Sequence, residues 1–189
     1  TLGPSSLNKK FLKIAQSKGV DLVRLNMSHL SIKRLKKNLD FIKKFSNLKI
    51  CIDTEGAQIR TKVSKNKYLK KGQKISIHLD KGFHLYPSDV FKKLKKNDQL
   101  EVWFDGLILK ILKTDESSIL SQCIQAGSLE KNKGVHLSNR KVKLNYLTEK
   151  DLEAIKVGKK YNIKNYALSF TNSVSDVIKF SKLLPNEKK

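Results

Sequence analysis

The sequence predicts an α/β fold of helix and strand units, interrupted by an all-β module. Three observations predict it. Residues 7–53 alternate helical and strand-like apolar patterns with short loops, the signature of a parallel sheet. After Arg60 the texture changes, and residues 68–137 hold short alternating segments punctuated by glycines. From about residue 147 the helical period returns.

The elements follow in order. LNKKFLKIAQSK, 7–18, reads as a helix with Leu7, Phe11, Ile14 and Ala15 at helical spacing, Ser6 as its cap and Gly19 as its stop. Residues 20–25 read as a buried strand carrying Val20, Leu22, Val23 and Leu25. Ser31 caps a second helix, 32–45, with Ile32, Leu35, Leu39, Ile42 and Phe45 on one face. KICID, 49–53, is the next strand. KISIHL, LEVWF, LILKIL and ILSQCIQ supply the β module, with the Asp105-Gly106 turn marking LILKIL as strand. In LTEKDLEAIKVGKK, Thr148 and Asp151 form a capping-box variant and Gly158 reads as the stop. YALSF is strand-like. A last helix, 173–184, carries Val174, Val177, Ile178 and Leu184, and PNEKK reads as a loop.

A chain of 189 residues with 39% hydrophobic and 7% aromatic content suffices for one core, or for one domain with an inserted module, and excludes a fully disordered chain. No apolar run approaches membrane-spanning length, and the opening TLGPSS lacks an initiator Met and a signal-peptide pattern, so a cytoplasmic setting and a cut from something longer are expected. Cys51 and Cys123 lie far apart without CxxC spacing, and Cys51 sits in an apolar run. They read as buried thiols in a reducing compartment, with a metal or redox role disfavoured. The net charge of +23 comes from 36 Lys and only 4 Arg spread along the chain. Base and phosphate recognition favours the arginine fork, and no nucleic-acid-binding motif is present. Most of the charge therefore reads as solvated surface, with anion attraction at one cleft, and a basic RNA-binding module is the minority reading.

Ligands gather at the C-terminal ends of parallel strands. The three strands here end in Arg24/Asn26, Asp53/Thr54 and Ser169/Phe170. Arg24 and Arg60 are half of the arginines, and both read as lying just past a strand, where a guanidinium matches phosphate oxygens. Asn26, Ser28, Asp53 and Thr54 are hard oxygen donors suited to alkali or alkaline-earth cations. Spacing alone favours local turn hydrogen bonds for them instead. His29 reads as a capping or surface residue.

TLGPSS, GVDLVRLNMSHL, CIDTEGAQIRT, FDGLI at 104–108, GSLEKNKGVHL, LTEKDLEAIKVG and ALSF carry a specific resemblance. In this order and spacing they resemble the N-terminal part of the pyruvate kinases, over essentially the whole chain. The resemblance implies a partial (β/α)8 TIM barrel with an inserted small β-barrel lid domain. Residues 1–60 would open the barrel, 61–142 form the lid, and 143–189 resume the barrel. It implies phosphoryl transfer from phosphoenolpyruvate to ADP, giving pyruvate and ATP in glycolysis. The implied cofactors are Mg2+ (or Mn2+) and K+, with no membrane or nucleic-acid partner and a homo-oligomeric, tetrameric full-length protein. Arg24, Ser169 and Phe170 would bind substrate. Asn26, Met27, Ser28, His29, Arg60 at the hinge into the lid, and Lys133 would bind nucleotide. Asn26, Ser28, Asp53 and Thr54 would hold K+.

The sequence departs from the family at several points. Glu55, Ala57 and Gln58 stand where the family has Lys, Pro and Glu, which alters the charge beside the K+ set, Gln58 above all. Phe104-Asp105-Gly106 replaces DDG, and His136-Leu137-Ser138-Asn139 replaces NLPG. The family's catalytic Lys and its Mg2+ ligands are expected beyond Lys189, so no catalytic residue is expected within the chain, and the 189 residues alone are expected to be inactive. A truncated homologue that binds nucleotide or phosphate without turnover is the alternative reading.

Overall fold

The computed structural model describes residues 1–103 and 106–184; Phe104 and Asp105 of FDGLI, and the PNEKK loop, lie outside the described residues. Contacts divide the chain into two units, Gln58–Leu144 and the remainder, Thr1–Ala57 together with the residues from Asn145 onward. In chain order the elements are α1 (Lys9–Ser17), β1 (Leu22–Asn26), α2 (Ile32–Phe45) and β2 (Lys49–Asp53) in the first unit. The second holds β3 (Ile59–Lys62), β4 (Lys67–Leu69), β5 (Lys74–His78), β6 (His84–Tyr86), β7 (Gln99–Val102), β8 (Leu107–Thr114), β9 (Ser118–Gln125), β10 (Gly127–Leu129) and β11 (Gly134–Leu137). The first unit resumes with α3 (Glu149–Lys160), β12 (Asn165–Ala167) and α4 (Val174–Leu183).

The first unit is α/β. Its sheet runs β1-β2-β12, parallel throughout, with Asn26 paired to Asp53 and Ala167 paired to the same Asp53. That register brings three strand ends to one level. α2 begins where Ser31 accepts the Arg34 N–H, and it buries Leu35, Leu39 and Ile42 against Leu25 and Ile52 of the sheet core. Each such side chain contributes about 1.5–3 kcal/mol.

Two helical faces differ from expectation. α1 is capped by Asn8, whose side chain accepts the Phe11 N–H, because the Ser6 hydroxyl is engaged with Gly3 in the preceding turn. It buries Leu12 and Ala15 and leaves Phe11 and Ile14 half exposed. In α4 three of the four apolar residues of the predicted face are outward, and only Leu184 packs inward. Val174 is 76% exposed, Val177 and Ile178 are also exposed, and Phe180 is buried instead. Val174 and Ile178 share one i, i+4 stripe, whereas Phe180 packs with Leu183 and Leu184 on the neighbouring one, and the larger aromatic wins the inward place. Strand β1 also starts later than expected, and Val20 and Leu22 are exposed where burial was predicted.

The second unit is a closed barrel in the order β11-β3-β6-β5-β9-β8-β7, with β4 and β10 paired separately. LILKIL lies wholly in β8, and its alternation is literal, with Leu107, Leu109 and Ile111 buried between half-exposed neighbours. Closure removes the barrel's free edges. Arg140 grips Asp98 through two hydrogen bonds of 2.7 Å, and its Nη2 also donates to the Lys93 carbonyl.

α3 is capped as its sequence predicts, by the reciprocal Thr148–Asp151 box, but it runs on to Lys160, so Gly158 is interior and no stop. A Cβ at Gly158 would lie 2.3 Å from the Tyr166 hydroxyl and 2.8 Å from Ile52 Cδ1. The glycine is there because helix and sheet touch. Burial pushes the Tyr166 phenol up to about 12, and its hydroxyl has no hydrogen-bond partner among the described residues. Gly158→Ala is expected to lower stability by about 1–2 kcal/mol in urea unfolding, overpacking outweighing the gain in helix propensity. Adding Tyr166→Phe should recover part of the loss, since it deletes the clashing oxygen. Additive effects of the two changes would show that the contact is not the cause.

No helix among the described residues is long and apolar enough to cross a membrane.

Candidate functional site

In the first unit the strand ends converge on Asp53. Its carboxylate is 2% exposed, accepts the Ser169 hydroxyl at 2.6 Å and lies 3.6 Å from Arg24 Nη1. Thr54 follows, with its N–H on the Ala167 carbonyl and its Oγ1 accepting the Ser169 N–H at 3.0 Å. Asn26, beside Asp53 in the sheet, turns its side-chain oxygen to the Ser28 N–H at 2.8 Å. The local turn bond predicted from spacing is therefore present, and it coexists with the cluster because a carbonyl oxygen has a second lone pair. Arg24 is not past the strand but within β1, and its Nε donates to Thr1 Oγ1 at 2.7 Å. It reaches the strand end through side-chain length. Burial, then the Asp53 charge, pushes the neighbouring Cys51 thiol up, which leaves it an unreactive buried group.

Beside this cluster a cavity of about 430 Å3 is lined by Arg24, Asn26, His29, Pro4, Arg34 and Asn38, among others. His29 is exposed and Ser28 is buried. Met27 has no exposed surface and packs in the core with Leu25 and Leu35, so its side chain has no face free for a ligand. Arg34 and Asn38 were not foreseen as site residues. Their i, i+4 spacing on α2 was the available signal. Phe170 is exposed, with φ of +54°, just after Ser169.

The turn after β2 is clamped from behind. Asp151, fully buried, accepts the N–H groups of Glu55 (2.8 Å), Gly56 (3.1 Å) and Thr148 (3.1 Å), so one carboxylate caps α3 and holds the turn. Glu55 is buried as well, ion-paired to Lys150 and accepting the Thr148 hydroxyl at 2.8 Å. Gly56, at φ +63°, lies so close to Ser169 that a Cβ would come within 2.1 Å of its carbonyl oxygen. The acidic replacement at position 55 is thus neutralised locally by Lys150. None of these partners is near it in sequence, and only the capping box was legible.

In the second unit Arg60 lies within β3 rather than past a strand, paired with Gly134 of β11, the residue after Lys133. Its Nη1 donates to the Asn132 carbonyl at 3.5 Å. Lys133 Nζ lies 3.1 Å from Glu130 Oε2. Gln58 covers Gly134, its amide nitrogen 2.7 Å from where a Cβ would stand. The two expected phosphate-binding cations of this unit are therefore held by one loop and one strand.

Among the described residues no group of three or more His, Cys, Asp or Glu could hold a metal ion. The set Asn26, Ser28, Asp53 and Thr54 is of a different kind: its donors are hard oxygens, one of them a buried carboxylate, which by their chemistry suit an alkali cation rather than a transition metal.

A family model described as the pyruvate kinase barrel domain matches residues 1–189. The chain belongs to the pyruvate kinase family. It is 29% identical to the pyruvate kinase of Staphylococcus epidermidis (strain RP62A) and 30% identical to that of Staphylococcus aureus (strain USA300), each over 203 aligned positions. The alignments cover all of this chain and 35% of those proteins, so the chain spans about a third of the curated pyruvate kinases it matches. The parallel strands of the first unit and the closed barrel of the second are consistent with a partial pyruvate kinase barrel and an inserted lid domain.

Proposed function

We propose that this chain supplies the phosphate- and K+-binding part of a pyruvate kinase that moves a phosphoryl group from phosphoenolpyruvate to ADP. The observation that carries the reading is the cavity lined by Arg24, Asn26 and His29 beside the buried Asp53. Arg24 takes the phosphoryl oxygens, with Ser169 and Phe170 flanking the substrate. Asn26 and His29 line the nucleotide cavity, and the buried Met27 and Ser28 between them hold these two in place. Arg60 and Lys133, in the second unit, take nucleotide phosphates. Asn26, Ser28, Asp53 and Thr54 hold K+, which supplies positive charge beside the transferring group. Phosphoryl transfer is chiefly positioning and charge neutralisation, so arginines, a lysine and cations are what the chemistry uses. Mg2+ is assigned no ligand in this chain.

The reading is tested by titrating ADP into the chain in K+ and in tetramethylammonium buffer, with Arg60→Ala and Lys133→Ala alongside. Binding is expected to be tighter in K+, and each variant to lose about 10-fold, the scale of one charge-assisted phosphate contact. Equal ADP affinity in all three chains would reject the assignment of Arg60 and Lys133. Indifference to K+ would reject the cation set.

A further inference from the structure

Lys133, assigned above to nucleotide phosphate, already has an anion. Glu130 follows β10, three residues before Lys133, and the loop between them is locked by one buried residue, Thr61. The Thr61 hydroxyl donates to the Glu130 carbonyl and accepts the Lys133 N–H at 2.9 Å. Its backbone N–H donates to the Lys133 carbonyl at 2.9 Å, and its carbonyl accepts the Asn132 N–H at 2.8 Å. Asn132 takes the left-handed conformation, φ +64°, that reverses the chain between the two charges. The fixed loop sets the Glu130 and Lys133 side chains together, 3.1 Å apart, and the Arg60 guanidinium lies on the same loop through the Asn132 carbonyl.

We propose that Glu130 is a resident competitor for the phosphate-binding lysine: its carboxylate occupies the Lys133 ammonium, and a ligand phosphate must displace it. The proposal rests on the phosphate assignment of Lys133. Both side chains are about one-third exposed, 28% and 35%, so the pair is weak enough to be exchanged. A carboxylate has one charge to offer, whereas a polyphosphate tail offers more and meets Arg60 as well. Once displaced, Glu130 remains near the ligand and repels it. The device therefore raises the threshold for binding, and its penalty grows with the charge of the ligand.

The test compares the wild-type chain with Glu130→Gln, which keeps the shape and removes the charge, and with Lys133→Ala. AMP, ADP and ATP are titrated into each. Glu130→Gln is expected to bind ADP about 3- to 10-fold tighter, the size of one partly screened charge contact. The gain should be larger for ATP than for AMP. Unchanged or weaker ADP binding by Glu130→Gln, while Lys133→Ala still loses affinity, overturns the competition and leaves the phosphate reading standing. If Lys133→Ala binds ADP as the wild type does, the phosphate reading fails and the competition falls with it. A readout without nucleotide addresses the pair itself. Loss of its counter-ion should make Lys133 acylate about 2-fold faster with acetic anhydride, followed by peptide mass spectrometry. An unchanged rate would show that Glu130 does not hold the ammonium in solution.

Discussion

Asp151→Ala will cost the first unit about 3–5 kcal/mol of stability, the range for removing one partner of a buried charged network. The carboxylate accepts three backbone N–H groups, from Glu55, Gly56 and Thr148, and has no exposed surface. Alanine leaves all three donors without it, each at about 1–3 kcal/mol, less whatever water recovers by entering the space. The effect is not confined to the helix cap, because two of the donors belong to the turn that carries Thr54 and faces Ser169. Urea unfolding should show the loss, and ADP affinity should fall with it even though Asp151 touches no proposed ligand. A loss near 1 kcal/mol, the usual size for a cap alone, would mean that the turn is held by other contacts.

The pH dependence of the same residue has a definite sign. Burial pushes Asp151 above its ordinary value of 3.8, with the Glu55 charge adding to the rise and the three N–H groups opposing it. A carboxyl raised in the folded state binds its proton more readily there than in the unfolded chain. Its contribution to stability is greatest below about 3.8 and declines as pH rises through the raised value. The stability gap between wild type and Asp151→Asn should therefore narrow over that interval and then stay level. A gap that widens with pH would place the folded carboxyl below its ordinary value.

What the sequence could and could not disclose follows from the range of the interactions involved. The bounds of α2 and β2, the Ser31 cap and the Thr148–Asp151 box are local chemistry, and the sequence reading placed them where they stand. The alternation of β8 is local too. Gly158 misled because a glycine near a helix end has two explanations, and the choice depends on Tyr166 and Ile52 across the packing interface. The faces of α1 and α4 misled because each helix carries apolar residues around more than one stripe, and only packing selects among them. At the site, the rule that parallel strands present their C-terminal ends led to Asn26, Asp53, Thr54 and Ser169 without any contact information. The register that sets Asn26 and Ala167 beside Asp53 then follows from three strands pairing in parallel. The supports of the site were not legible. Lys150 neutralises Glu55 from almost a hundred residues away, and Thr61 fixes the Glu130–Lys133 loop from another strand.

Gly56→Ala is the second large effect, and a control within the same unit separates its two causes. At φ +63° an alanine pays about 1–2 kcal/mol of backbone strain. Its Cβ would also stand 2.1 Å from the Ser169 carbonyl oxygen and 2.9 Å from the carbonyl carbon, both backbone atoms that cannot swing aside. Relief requires moving Ser169, which is tied to Asp53 through its hydroxyl and to Thr54 through its N–H. The steric part adds about 1–3 kcal/mol, for a total of about 2–5 kcal/mol. Gly19 has φ +74° and nothing within 4 Å of an added Cβ, so Gly19→Ala reports the strain alone. The excess of Gly56→Ala over Gly19→Ala in urea unfolding measures the close approach of the turn to Ser169. Equal losses would mean that Ser169 gives way freely. In that case the Asp53–Ser169 bond does not hold the strand ends together, and the K+ set built on Asp53 and Thr54 loses its rigid support. An excess of about 2 kcal/mol accompanied by weaker K+-dependent ADP binding would tie the geometry of this turn directly to the function of the site.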